Sequence, residues 1–226
     1  MVEATAIEVD APFSTSGLRT LSLRLENVDL EGFQLDGGRQ TLQDDVVTIR
    51  LRTLSRKNSY TLPFLGQGFE AWLQPSVLIQ SDRPEFAELV GKIGKGEQRA
   101  LKLARRLHDW VYKNIEKRPF AGMPSALDVL KARQGDCNEH AMLMAALCRS
   151  AGIPCRVVAG LVYLRGRFYY HAWNELYLDD WVAVDATLNQ FPADVTHVKF
   201  IEGDMEEQTM VLNLIGRLKI EVVDYQ

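Results

Sequence analysis

An α+β fold, with helices in the middle of the chain and antiparallel strands on either side, is predicted by three observations. Residues 16–75 alternate apolar and polar side chains in short runs. Residues 84–150 carry apolar side chains at three- and four-residue spacing. Beyond Pro154 the period returns to two. A period of two sends successive side chains to opposite faces of a strand, whereas a period near 3.6 gathers them on one face of a helix.

The elements follow in order. Leu21, Leu23 and Leu25 alternate with Ser22, Arg24 and Glu26, and Val47, Ile49 and Leu51 with Thr48, Arg50 and Arg52. Each run is a half-buried strand, and Asp36-Gly37-Gly38 is a turn between them. Pro63, Gly66, Gly68 and Pro75 mark irregular chain. A boundary near residue 75 divides a β-rich N-terminal segment, 1–75, from a domain spanning 76–226. Ser81-Asp82 before Pro84-Glu85 caps a first helix, which Gly94 and Gly96 end. From Glu97 to Ile115 the residues Ala100, Leu103, Ala104, Leu107, Trp110, Val111 and Ile115 form the apolar stripe of a second helix, in which His108 and Trp110 read as structural. Ser125-Ala-Leu-Asp128 has the spacing of a capping box, with Gly135 closing the short helix it opens.

Asp136 to Gly152 is the next helix. Asp136 is its N-cap, Cys137 its first residue, and Glu139 completes a second capping box. Ala141, Met144, Ala145 and Cys148 give it a compact face, and Ala151-Gly-Ile-Pro154 stops it. Strands are expected over Arg156–Leu164, Phe168–Leu178 and Trp181–Ala186, turning at Arg165-Gly166 and Asp179-Asp180. Residues 190–210 read as polar and irregular, with His197 exposed among them, and Leu214–Val223 as a last strand.

Composition narrows the classes. The 226 residues are 46% hydrophobic and 25% charged, enough for a sizeable core. With a net charge of -4 and no basic patch, nucleic acid is not an expected partner. No apolar run reaches the roughly 18 residues of a membrane-spanning helix. Met1–Phe13 has neither the basic start nor the apolar stretch of a signal peptide. Because the chain opens inside a β-rich region, the compartment stays open: cytoplasm, or the cell envelope or periplasm if the chain is part of a larger exported protein. Cys137, Cys148 and Cys155 make an odd count, which argues against a disulfide framework; Cys148 and Cys155 read as small buried side chains.

Cys137 is the residue with chemical promise. A thiolate, not a thiol, is the nucleophile, and a free thiol titrates near 8.5. Unsatisfied N–H groups and the helix dipole favour negative charge at a helix start. The same N–H groups can hold the oxyanion of a tetrahedral intermediate. A base is required. His171 lies in Tyr169-Tyr-His-Ala-Trp-Asn-Glu175, a strand flanked by aromatics, and an orienting acid would be Asp185 at the end of Trp181-Val-Ala-Val-Asp185. An unpaired carboxylate ending an apolar strand is costly, so Asp185 needs a partner.

Strand parity sets a condition. His171 and Asp185 are 14 residues apart, so they share a face only if the turn between their strands is odd or bulged. In that register Asp185 lies opposite Trp173. A rival base is His140, one helical turn from Cys137, and a zinc site from Cys137, His140 and another cysteine lacks the paired spacing of such sites. Spacing alone does not separate a catalytic set from a packed cysteine and histidine.

Four motifs in order resemble the bacterial transglutaminase-like superfamily: Gln134-Gly-Asp-Cys-Asn-Glu-His140, Ala151-Gly-Ile-Pro-Cys-Arg156, His171-Ala-Trp-Asn-Glu175 and Trp181-Val-Ala-Val-Asp-Ala-Thr187. The resemblance spans roughly residues 76–202. It implies a papain-like transglutaminase core, with a Cys-bearing helix packed on an antiparallel sheet that carries His and Asp. It also implies Cys137, His171 and Asp185 as catalytic triad, no cofactor or metal, and acyl transfer on a protein or peptide substrate through a thioester. Trp173 and Gln134 are candidates for lining the site or holding the oxyanion, Gln134 also for capping the preceding helix end. A different class, a binding or assembly module that keeps the fold without catalysis, stands as the alternative. Residues 1–75 carry no motif of their own and resemble the β-rich region that precedes such domains in larger bacterial envelope proteins.

Overall fold

The computed structural model describes residues 6–54, 59–120, 122–203 and 205–226. The reading of Met1–Phe13 therefore falls partly on residues 1–5, outside the described residues. The elements are β1 (Ile7–Glu8), β2 (Thr20–Glu26), β3 (Gln40–Gln43), β4 (Val46–Arg50), α1 (Pro84–Gly94), α2 (Ala100–Asn114), β5 (Glu116–Lys117) and α3 (Ala126–Ala132). They continue with β6 (Gln134–Gly135), α4 (Cys137–Ser150), β7 (Cys155–Leu164), β8 (Arg167–Tyr177), β9 (Trp181–Val184), β10 (His197–Glu202), α5 (Met205–Leu212) and β11 (Lys219–Tyr225). This is the α+β class the sequence predicts. Among the described residues no helix is long and apolar enough to cross a membrane.

The chain forms two compact units. The first comprises residues 1–53, 158–172 and 193–226. Its four-stranded antiparallel sheet runs β11-β2-β4-β3, with Leu23 opposite Val47 and Leu21 opposite Ile49. The alternation in β2 is realised: Leu21, Leu23 and Leu25 are buried while Glu26 is exposed. Those leucines join Ile7, Phe13, Leu161, Phe168, Val198 and Phe200 in one core. In the same unit β1 pairs with the start of β8, and β10 pairs antiparallel with β7, His197 lying opposite Val162. Gly160 is required there, because a Cβ would run into the Val198 carbonyl.

The second unit comprises residues 54–157 and 173–192. Helix α4 is its centre, touched by α1, α2 and α3. Residues Glu139 to Cys148 are all buried, so α4 is packed on every side. An aromatic cluster of Tyr60, Phe64, Phe69, Trp72, Tyr177 and Trp181 fixes the irregular chain before α1 to the β8–β9 hairpin.

Some expectations are corrected. Residues 190–210 are not irregular throughout: β10 and the start of α5 lie there, and His197 is fully buried. The short helix α3 ends not at Gly135 but at Arg133, which takes the left-handed conformation at φ 58°. Helix α1 has Arg83, rather than Ser81 or Asp82, at its N-cap, with Pro84 as first residue.

Candidate active site

Cys137 opens α4, nearly buried at 8% exposure. The capping box forms in both directions. The Asp136 carboxylate accepts from the N–H of Asn138 at 3.1 Å and from that of Glu139, and Glu139 Oε2 accepts the Asp136 N–H at 2.7 Å. The box takes the N–H groups of Asn138 and Glu139 and does not use that of Cys137 itself. Gly135 is required by close approach: a Cβ there would overlap the Cβ of Glu139. Burial, then the hydrogen bond with Asp136, pushes the Glu139 carboxyl up to about 7.

His140 is committed elsewhere. Its ring is fully buried, and Nδ1 stands 2.6 Å from the Asp136 carbonyl, which can only accept, so Nδ1 carries the proton. Burial lowers its pKa, while the Asp136 carbonyl and the charge of Asp185 pull the other way. The first turn of α4 and the Asp185 carboxylate are thus within electrostatic reach of each other.

The β8–β9 hairpin satisfies the parity condition. Tyr177 pairs with Trp181 and Asn174 with Val184, so the turn is Leu178-Asp179-Asp180, three residues long, with Asp179 left-handed at φ 66°. One step further in this register, Asp185 comes opposite Trp173, and both are buried. Alternation along β8 gives His171 the same facing as Trp173. Asn174, on the opposite face, donates to the Ala141 carbonyl of α4 at 2.9 Å. Glu175 receives both Nε and Nη2 of Arg156, at 2.9 and 2.6 Å, and the Arg156 guanidinium lies over the Trp181 ring at 4.0 Å.

Asp185 is held by its own turn. One carboxylate oxygen accepts the N–H of Thr187 at 2.7 Å and of Leu188 at 3.0 Å, an Asx-type arrangement. His108 Nε2 donates to the Asp185 carbonyl at 3.0 Å, which gives that buried histidine the structural role its place on α2 suggests. Gln134 sits in β6, half-buried, its backbone paired with Glu116. All three cysteines are free and buried, and burial followed by a hydrogen bond with Cys155 pushes the Cys148 thiol up.

Of the predicted residues, Cys137, Gln134, Trp173 and Asp185 belong to the second unit, and His171 to the first, one residue before β8 passes into the second. Sequence reasoning missed two features: the Arg156–Glu175 pair, whose members stand in two of the quoted motifs, and the buried His197.

A capped cysteine opens a buried helix, and the antiparallel β8–β9 hairpin carries the histidine and leads into the aspartate. Residues 87–186, which include Cys137, His171 and Asp185, match the model of the Transglutaminase-like superfamily. Among solved structures, a protein from Cytophaga hutchinsonii provisionally assigned as a cysteine protease shares the fold at a TM-score of 0.58 and 20% identity, over 92% of this chain and 85% of that one. The periplasmic domain of TgpA from Pseudomonas aeruginosa aligns at a TM-score of 0.49 and 19% identity, over 80% of this chain and 75% of that one. No curated protein matches the chain.

Proposed function

We propose that the protein is a cysteine-dependent acyl-transfer enzyme acting on peptide or amide bonds, with Cys137 as nucleophile, His171 as base and Asp185 as orienting acid. The observation that carries this reading is the three-residue turn at 178–180, which puts Asp185 opposite Trp173 and on the face that alternation gives to His171. His171 takes the proton of the Cys137 thiol, and the sulfur attacks the carbonyl carbon. The oxyanion is received by the Cys137 N–H, the first-turn donor outside the capping box. Collapse breaks the C–N bond, the leaving amine takes the proton from His171, and the acyl group stays on sulfur as a thioester. Water or a second amine, deprotonated by His171, then releases it. Trp173 shields the site from water, and Gln134, two residues ahead of the N-cap, is a candidate second donor to the oxyanion.

Mass spectrometry tests the proposal. Incubation with a peptide panel should trap an acyl adduct on Cys137, with and without added amine telling transamidation from hydrolysis. Cys137→Ala and His171→Ala should each reduce turnover by roughly 1,000-fold or more. No adduct and no turnover in the parent, with partner binding unchanged in Cys137→Ala, would make the protein a non-catalytic binding or assembly module instead. Loss of turnover in His140→Ala but not in His171→Ala would reassign the base.

A further inference from the structure

We infer that His197 is a positioning residue for His171, a ring anchored in the first unit against which the base is held. The inference rests on the reading of His171 as base. The two imidazoles pack edge to face, 5.8 Å between centroids and 61° between planes. His197 is fully buried on β10, whose backbone pairs with β7.

Its orientation is set from several sides. Nδ1 stands 3.3 Å from Asp194 Oδ1, and the carboxylate requires that Nδ1 carry the proton. The same oxygen accepts the Thr196 N–H at 2.9 Å and its hydroxyl at 2.5 Å. Burial alone would raise the Asp194 pKa, but the hydrogen bond and charge of His197, with the Thr196 donors, hold it well below the usual carboxylate range. The backbone of this segment is clamped as well. Arg39 donates to the carbonyls of Ala193, Asp194 and His197 at 2.6, 2.7 and 3.0 Å, and the Tyr163 N–H donates to the Thr196 carbonyl at 3.2 Å.

A surface histidine of ordinary function needs no such frame. One carboxylate holds this buried imidazole, Arg39 and the Tyr163 N–H clamp the backbone around it, and the imidazole meets the ring of His171. An imidazole that must take a proton from sulfur and return it to a leaving group gains from a single orientation, because small misplacements of a reacting group lower the rate steeply. A wall fixed to Asp194 and Arg39 removes the alternative positions of the His171 ring.

The test is the rate at which iodoacetamide alkylates Cys137 at neutral pH, a readout that needs no knowledge of substrate. His171→Ala should slow it strongly. His197→Ala should slow it roughly 10-fold, and His197→Phe, which keeps a ring on that face, should return it to within about 3-fold of the parent. Asp194→Asn should give an intermediate loss, and should broaden or shift the His171 imidazole resonance in the NMR spectrum; it decides the question if His197→Ala does not fold. Parent rates in His197→Ala and Asp194→Asn beside a slowed His171→Ala would overturn the positioning role alone, as would a Phe variant as slow as the Ala variant. An unslowed His171→Ala would overturn the underlying reading of His171 itself.

Discussion

The two units solve the problem of burial differently. In β2 of the first unit every second residue is buried, and the polar residues between make ordinary surface contacts: Ser22 meets Thr48 at 2.9 Å, and Arg24 pairs with Glu221. In α4 of the second unit ten consecutive residues, Glu139 to Cys148, are buried, and no face is left for polar groups. The polar side chains α4 does bury, Glu139 and His140, cluster in the turn that Cys137 opens. A strand with one wet face accommodates polar residues at little cost; a helix buried all round accommodates them only with internal partners. Their concentration at one end of α4 falls in the turn that holds the proposed nucleophile.

The comparison can be broken at its largest effect first. Leu143→Ala at the centre of α4 and Leu23→Ala at the centre of β2, both fully buried, should each destabilise by about 2–5 kcal/mol in urea denaturation. A loss well below that at Leu23 would mean that the sheet is not a core in its own right.

Glu139→Gln sharpens the contrast through pH. The folded-state pKa is raised from 4.5 to about 7, so between those values the folded protein binds a proton that the unfolded chain has released. Stability contributed by the neutral carboxyl is therefore full below pH 4.5 and declines as pH rises toward 7. The Gln variant, which stays neutral and keeps an oxygen for the Asp136 N–H, should lack that decline when denaturation midpoints are measured across the window. An identical pH profile in the two proteins would show that Glu139 ionises freely.

The smallest effect belongs to the wet face of the first unit. Ser22→Ala, which removes one hydroxyl contact to Thr48 across the β2–β4 pair, should shift stability by less than about 1 kcal/mol. A larger loss would erase the distinction between the two kinds of polar residue.

What the sequence reveals follows the same division. The alternation of β2 and β4 and the two capping boxes rest on neighbours a few residues apart, and each is where local pattern puts it, whereas the turn before β9 is three residues long, as the parity condition requires, and not the two of Asp179-Asp180. Strand β10 escapes because Lys199 interrupts the apolar run of Val198, Phe200 and Ile201. That lysine is buried through contacts no local window contains: its ammonium meets Glu202 at 2.9 Å, and its N–H meets Gln40, 159 positions away, at 2.6 Å. His197 is misjudged for the same reason, since Arg39, which holds its segment, is 158 positions distant. At Arg133 a non-glycine residue adopts the left-handed conformation, so the nearest glycine misleads about where α3 stops. For the candidate site, parity anticipates Asp185 opposite Trp173, but not the Asx-type turn at Thr187 and Leu188 that holds the carboxylate.

The turn at Leu178-Asp179-Asp180 has a consequence for anyone altering its length. A hairpin of this kind behaves as a parity counter. One residue added or removed there rotates Asp185 to the opposite side of the strand relative to Trp173, or forces a bulge to absorb the change. Two residues added restore the facing. Insertion libraries at this tip should therefore return active members in steps of two, with folded but inactive ones between, and the spacing of survivors would read out the geometry of the site without a substrate ever being named.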